Sequence, residues 1–124
     1  MIAKGTRFLY SEWVPYIAPK DRKKFDPLID ELAEKIVEEA RSYNYDGAFA
    51  GLINYTCTRL TLRVIKTLFG KMRYWMIATV VGTFQNVAEE FYRRVGIPYE
   101  DKQIKQSGDV DLYKEYDEDI EKNQ

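Results

Sequence analysis

No histidine occurs among the 124 residues. That absence removes His-based general acid/base catalysis, His-assisted serine or cysteine nucleophiles and most zinc sites. Cysteine is nearly lacking as well. Cys57 stands alone, which excludes an intrachain disulfide and a cysteine-cluster metal site. It falls inside an apolar helical pattern and reads as a small buried hydrophobe in a reducing compartment. Neither sign of charge dominates: 19 Lys and Arg against 20 Asp and Glu leave a net charge of −1. There is no basic field to drive sequence-independent nucleic-acid binding. Long apolar runs are missing too. The longest charge-free stretch, Tyr74–Ala88, contains Thr79, Thr83, Gln85 and Asn86 and is shorter than the ~20 residues a membrane span needs. Met1–Thr6 has no apolar segment, so no secretory signal is expected.

What is present is helical periodicity. Asp26 before Pro27 is a good helix start, with Leu28, Ile29, Leu32, Ala33, Ile36, Val37 and Ala40 forming a stripe that runs to about Tyr43. Glu31 and Lys35 make an i,i+4 pair on its outer side. Asp46 can cap a second helix from Gly47 to Phe69, closed by Gly70. The third runs from about Arg73 to Val95 and ends at Gly96. The short link at Gly70–Met72 predicts an antiparallel hairpin with arms of roughly 34 Å. Pro98 can start a short helix through Ile104, and Ser107–Asp109 reads as a turn. Residues 7–19, rich in aromatics with Pro15 and Pro19, read as an extended strap. Length allows one domain, residues 1–113, followed by an acidic, weakly ordered tail over 114–124.

The third helix is unusual on two sides. Ile77, Val81, Phe84, Ala88, Phe91 and Val95 recur at the seam spacing of packed helices. Trp75, Thr79, Gly82, Asn86 and Arg93 run down another side, which is not how a solvated face is usually written. Such a line meets either a second subunit or a ligand. Mid-helix glycine at Gly51 and Gly82 costs about 0.5–1 kcal/mol relative to alanine, a cost usually offset by close approach of another backbone or ligand.

Trp75 offers a stacking platform, Asn86 an amide that donates and accepts, and Arg93 a guanidinium fork matched to phosphate. Arg59 and Tyr92 complete the candidate ligand-binding set. The plain alternatives are a packing tryptophan, a register-fixing asparagine, and i,i+4 pairs joining Glu89 to Arg93 and Glu90 to Arg94. Arg59, Arg63 and Lys66 form the polar wedge of the second helix, ordinary as a solvated face and sufficient for an anion groove at a subunit interface. An enzyme is not expected. Glu31 and Glu34 have the spacing of one half of a magnesium site, but Glu89 and Glu90 point about 100° apart and cannot supply the other half. No phosphate-cradling loop or metal-ligand spacing is present. No cofactor, metal site or catalytic residue is expected.

The run Leu52-Ile53-Asn54-Tyr55 with Thr58-Arg59-Leu60, then Glu90–Arg94, then Pro98–Lys102 with Ile104 and Gly108-Asp109-Val110, resembles short phage and prophage proteins grouped as a domain of unknown function. Pro15-Tyr16-Ile17, Asp26–Ile29 and Glu31-Leu32-Ala33 belong to the same resemblance, which covers roughly residues 14–113. It implies a phage or prophage source and action in the bacterial cytoplasm, with no catalytic residue to carry over. The aromatic N-terminus and acidic C-terminal extension depart from that pattern. By analogy of role, small phage proteins that sequester nucleotide messengers of host immunity hold them between subunits of symmetric oligomers.

The expected protein is therefore mainly α: a long hairpin, one covering helix and the strap, assembled as a symmetric homo-oligomer, at least a dimer. It binds a small anionic, nucleotide-like ligand without turning it over. A module that inhibits a host protein through the Trp75 line is the alternative. Membrane and nucleic-acid partners are not expected.

Overall fold

A computed structural model describes residues 16–123, and every regular element among them is helical. The elements are α1 (Pro19–Arg22), α2 (Asp26–Arg41), α3 (Ala48–Phe69), α4 (Tyr74–Phe91), a π-helical segment (Tyr92–Gly96), α5 (Ile97–Ser107) and α6 (Asp111–Lys122). The mainly α expectation is met. The strap lies outside the described residues except for its end, where Tyr16–Ala18 has no regular structure and Arg22 Nε donates to the Ile17 carbonyl at 2.8 Å. No helix among the described residues is long and apolar enough to cross a membrane.

The chain divides into two compact units, Met1–Gln85 and Asn86–Gln124, where the sequence reads as one domain and a tail. In the first unit α2 and α3 pack together, while Leu28, Ile29, Leu32 and Val37 of the α2 stripe stay exposed. Pro27 sits in the first turn of α2, but Asp26 makes no capping hydrogen bond because the helix already begins at that residue. Asp46 likewise does not cap α3, whose N-cap is Gly47. The other end of α3 follows expectation. Gly70 adopts φ 74°, its N–H bonds to the Lys66 carbonyl, and Lys66 Nζ donates to the Gly70 carbonyl at 2.8 Å. A left-handed cap favours glycine there, and the lysine satisfies a carbonyl at the negative end of the helix dipole.

α3 and α4 meet where Phe69 and Trp75 stack edge to face, with centroids 5.4 Å apart. Side-by-side packing along a long hairpin is not among the closely packed helix pairs, which are α2 with α3 and the π segment with α5. The apolar faces consequently stay open. Leu60, Val64 and Leu68 on α3 and Ile77, Val81 and Phe84 on α4 are all exposed. Among the described residues only Ala48, Ile65 and Met76 are buried. Cys57 is half-buried rather than buried. A Cβ added at Gly51 or Gly82 would meet no described atom within 4 Å, so the close approach expected there is not made within this chain.

In the second unit Gly96 does not end a helix. Its φ of −66° and ψ of −49° are helical, and the chain passes through the π segment straight into α5. The widened turn has a geometric consequence. In an α-helix, positions seven apart align and positions eight apart fall about 80° away. A π turn absorbs one residue, which returns Tyr92 and Glu100 to one face. The Tyr92 hydroxyl donates to a Glu100 carboxylate oxygen. The α6 helix, Asp111–Lys122, takes in the end of the expected domain and most of the 114–124 segment expected as a weakly ordered tail. Apolar side chains at helical spacing (Leu112, Tyr116, Ile120) are the pattern that the acidic composition masked.

Candidate functional site

The five sequence-derived candidates are divided between the units: Arg59 and Trp75 in the first, Asn86, Tyr92 and Arg93 in the second. In the second unit, Arg93 is engaged by Glu90 and not by Glu89 through the expected i,i+4 pair. Its Nη2 lies 2.6 Å from one Glu90 carboxylate oxygen and its Nε 3.1 Å from the other. This fork-to-fork arrangement fills the face of the guanidinium that a phosphate would use. Glu90 is therefore unavailable to Arg94 as the expected partner.

Tyr92 is fixed on both sides. Its hydroxyl holds Glu100, and its ring lies against Gly96, where an added Cβ would stand 2.5 Å from Cδ2 and 2.8 Å from Cε2. Glycine is needed at 96 for that ring, not for backbone conformation. The carboxylate accepts the phenolic proton and repels the phenolate, so the Tyr92 pKa is raised above its ordinary value of 10.0. The bond is thus present at neutral pH and is lost only when the phenol ionises. Gly96→Ala must push the ring aside and should loosen this bond. Tyrosine ring-carbon NMR titration should show Tyr92 ionising above its ordinary value in the native protein and at lower pH in Gly96→Ala. An unchanged Tyr92 titration would show that the ring does not depend on the glycine. Asn86 is exposed and makes no side-chain hydrogen bond among the described residues.

In the first unit Trp75 is half exposed and packs its edge against Phe69. Arg59 sits in a different setting. It lines an open groove of about 330 Å³ on α3 with Tyr55, Thr58, Leu62, Arg63 and Lys66. The volume falls at the lower end of small-ligand sites, which run from about 300 to 1,000 Å³. Helical spacing explains the lining: residues 55, 59, 62, 63 and 66 fall within about 100° of one another around the helix. Among the described residues neither Arg59 nor Arg63 is held in an ion pair. Lys66 spends one donor on the Gly70 carbonyl and keeps two. Thr58 donates its hydroxyl proton to the Asn54 carbonyl at 2.7 Å, so it can face a ligand only as an acceptor. Tyr55 is exposed and also borders the neighbouring depression formed with Ala50, Gly51 and Asn54.

Chemically, the groove supplies two guanidiniums one turn apart, an ammonium at its end, an acceptor oxygen and an aromatic wall. That set matches an anion carrying a planar group. Arg63 and Lys66 read in the sequence either as a solvated wedge or as part of an anion groove, and Tyr55 enters only through the family resemblance. The signal that distinguishes them is the lack of any acid along the whole of Ala48–Phe69.

No curated protein and no solved structure matches this chain. A family model, described as a domain of unknown function (DUF6899), matches residues 14–110. That span nearly coincides with the region of the expected resemblance, and it includes the whole groove while stopping short of α6. The chain belongs to the DUF6899 family.

Proposed function

We propose that this protein is a non-catalytic binding protein for a small anionic, nucleotide-like molecule, acting as a homo-oligomer. The observation that carries the reading is the α3 groove, where Arg59 and Arg63 stand beside Tyr55 with no acidic partner among the described residues. Guanidiniums without counter-charges are costly to gather and are matched by phosphate. The groove is open on one side, and a second subunit at its edge would complete the site at the interface. The exposed apolar faces of α3 and α4 are what such a subunit would cover, Trp75 among them. We assign the protein to phage or prophage and to the bacterial cytoplasm, where sequestering a host nucleotide messenger is the corresponding role. That assignment rests on the sequence resemblance and on the analogy of role. The half-exposed Trp75, Ile77 and Val81 favour the second reading, a module that inhibits a host protein.

Calorimetric titration with ATP, cyclic mononucleotides and cyclic dinucleotides distinguishes the two. Saturable binding of at least one probe, recovered unchanged by chromatography after incubation with magnesium, is expected. Absence of heat with every probe would favour the protein-inhibitor reading. Conversion of a probe, abolished by Glu31→Gln or Glu34→Gln, would make the protein an enzyme.

A further inference from the structure

α6 lies outside the matched family domain and has a composition opposite to that of α3. It carries six acids against two lysines, whereas α3 carries three cations and no acid. Its apolar residues, Leu112, Tyr113, Tyr116 and Ile120, gather within about a third of the helix circumference, and all four are exposed. Glu115 and Asp119 flank that stripe on one side and Asp117 and Glu121 on the other. Both lysines, Lys114 and Lys122, fall on the far side. Asp111 and Glu118 share that far side, so what distinguishes the stripe is that both its flanks carry acids and neither carries a lysine.

We infer that α6 docks on the α3 groove of a second copy of this chain, its apolar stripe against Tyr55 and Leu62 and its acids against Arg59 and Arg63. The spacing fits. Glu115 and Asp119 are four residues apart, a rise of about 6 Å, and so are Arg59 and Arg63. Two parallel acid–guanidinium pairs therefore form together in the helix direction that sets the Glu115–Asp119 flank against Arg59 and Arg63. The stripe from Leu112 to Ile120 spans about 12 Å and the cations from Arg59 to Lys66 about 10 Å, so one α6 covers one groove. Mixed charge beside apolar contact is how register and partner are fixed in helix pairs. The consequence for the groove is competition: the partner's acids occupy the cations that an anionic ligand needs. The inference rests on the homo-oligomer part of the proposed function and not on the ligand's identity.

The test is disulfide trapping in full-length chains in which Cys57→Ala removes the native thiol. One chain carries Leu62→Cys and the other Tyr116→Cys, so a disulfide joining the two different chains can report only contact between copies. Mixing under mild oxidation should give that heterodimer. Arg59→Glu with Arg63→Glu on the first chain should abolish it, and Glu115→Arg with Asp119→Arg on the second should restore it. Added ATP or pyrophosphate that binds the groove should slow trapping. If light scattering shows an oligomer but no heterodimer is trapped, the docking is wrong and the oligomer stands. A monomer by light scattering overturns both. A disulfide that forms only within a chain carrying both cysteines would place α6 on its own copy and overturn the inference.

Discussion

Gly82→Leu should reduce the assembled protein to monomers while leaving its helices intact. In the single chain the Gly82 position opens onto space, with no described atom within 4 Å of an added Cβ. The Cβ of a leucine there therefore meets no described atom of the chain. It also removes a helix-interior glycine, which relieves about 0.5–1 kcal/mol of backbone cost. If a second subunit packs closely at this point, the same side chain overfills the contact, at a cost of typically 1–3 kcal/mol per site. A symmetric interface incurs that cost more than once. Light scattering at micromolar concentration should report at least twice the 14.6 kDa chain mass for the native protein and one chain for Gly82→Leu. Circular dichroism should show equal or higher helix content for the variant. Gly82→Ala should assemble almost normally. Native-like assembly of both variants would show that nothing packs at this position.

The second large effect is expected at Arg59. A hydrogen bond to a charged partner contributes about 1.5–3 kcal/mol, and its loss weakens binding roughly 10- to 150-fold. Arg59→Ala should produce a loss in that range for whichever nucleotide probe binds, and Arg63→Ala a similar one. Because neither cation is held in an ion pair among the described residues of its own chain, neither change leaves an acid of that chain stranded, and the helix content should barely move. Arg93→Ala provides the contrast. Its guanidinium is clasped by Glu90 through two hydrogen bonds, so its removal should cost little affinity. Exposed pairs of this kind contribute about 0–1 kcal/mol to stability. Equal losses at Arg59 and Arg93 would move the ligand away from the α3 groove. A loss at Arg93 alone would return the site to the Trp75–Arg93 line.

The helices were legible where a strong local signal coincided with apolar spacing. Gly70 marked the end of α3 because a left-handed cap has few alternatives to glycine. Gly96 misled for the same reason: a glycine after a helical run reads as a stop, yet here it makes room for the Tyr92 ring. The π turn that puts Glu100 under Tyr92 leaves no mark in a pattern read at 100° per residue. α6 was hidden by composition, since six acids in twelve residues suggest disorder unless the Leu112–Tyr116–Ile120 spacing is weighed first. Within the site, Arg59 is legible as a candidate, and Arg63 and Lys66 fit a solvated face and an anion groove equally well by spacing alone. What separates a solvated face from a site is the absence of acids to neutralise it. Arg93 was weighed on its position in the line, and pairing at i,i+3 instead of i,i+4 decided its partner.

The central claim joins two properties, self-assembly and retention of a small anion. Native mass spectrometry of the protein purified gently from a bacterial lysate measures both at once. The account predicts a mass at an integral multiple of 14.6 kDa, at least the dimer, together with species heavier by one small molecule per groove. That added mass should disappear in Arg59→Ala. A bare monomer, both from lysate and after incubation with the nucleotide probes, would contradict it.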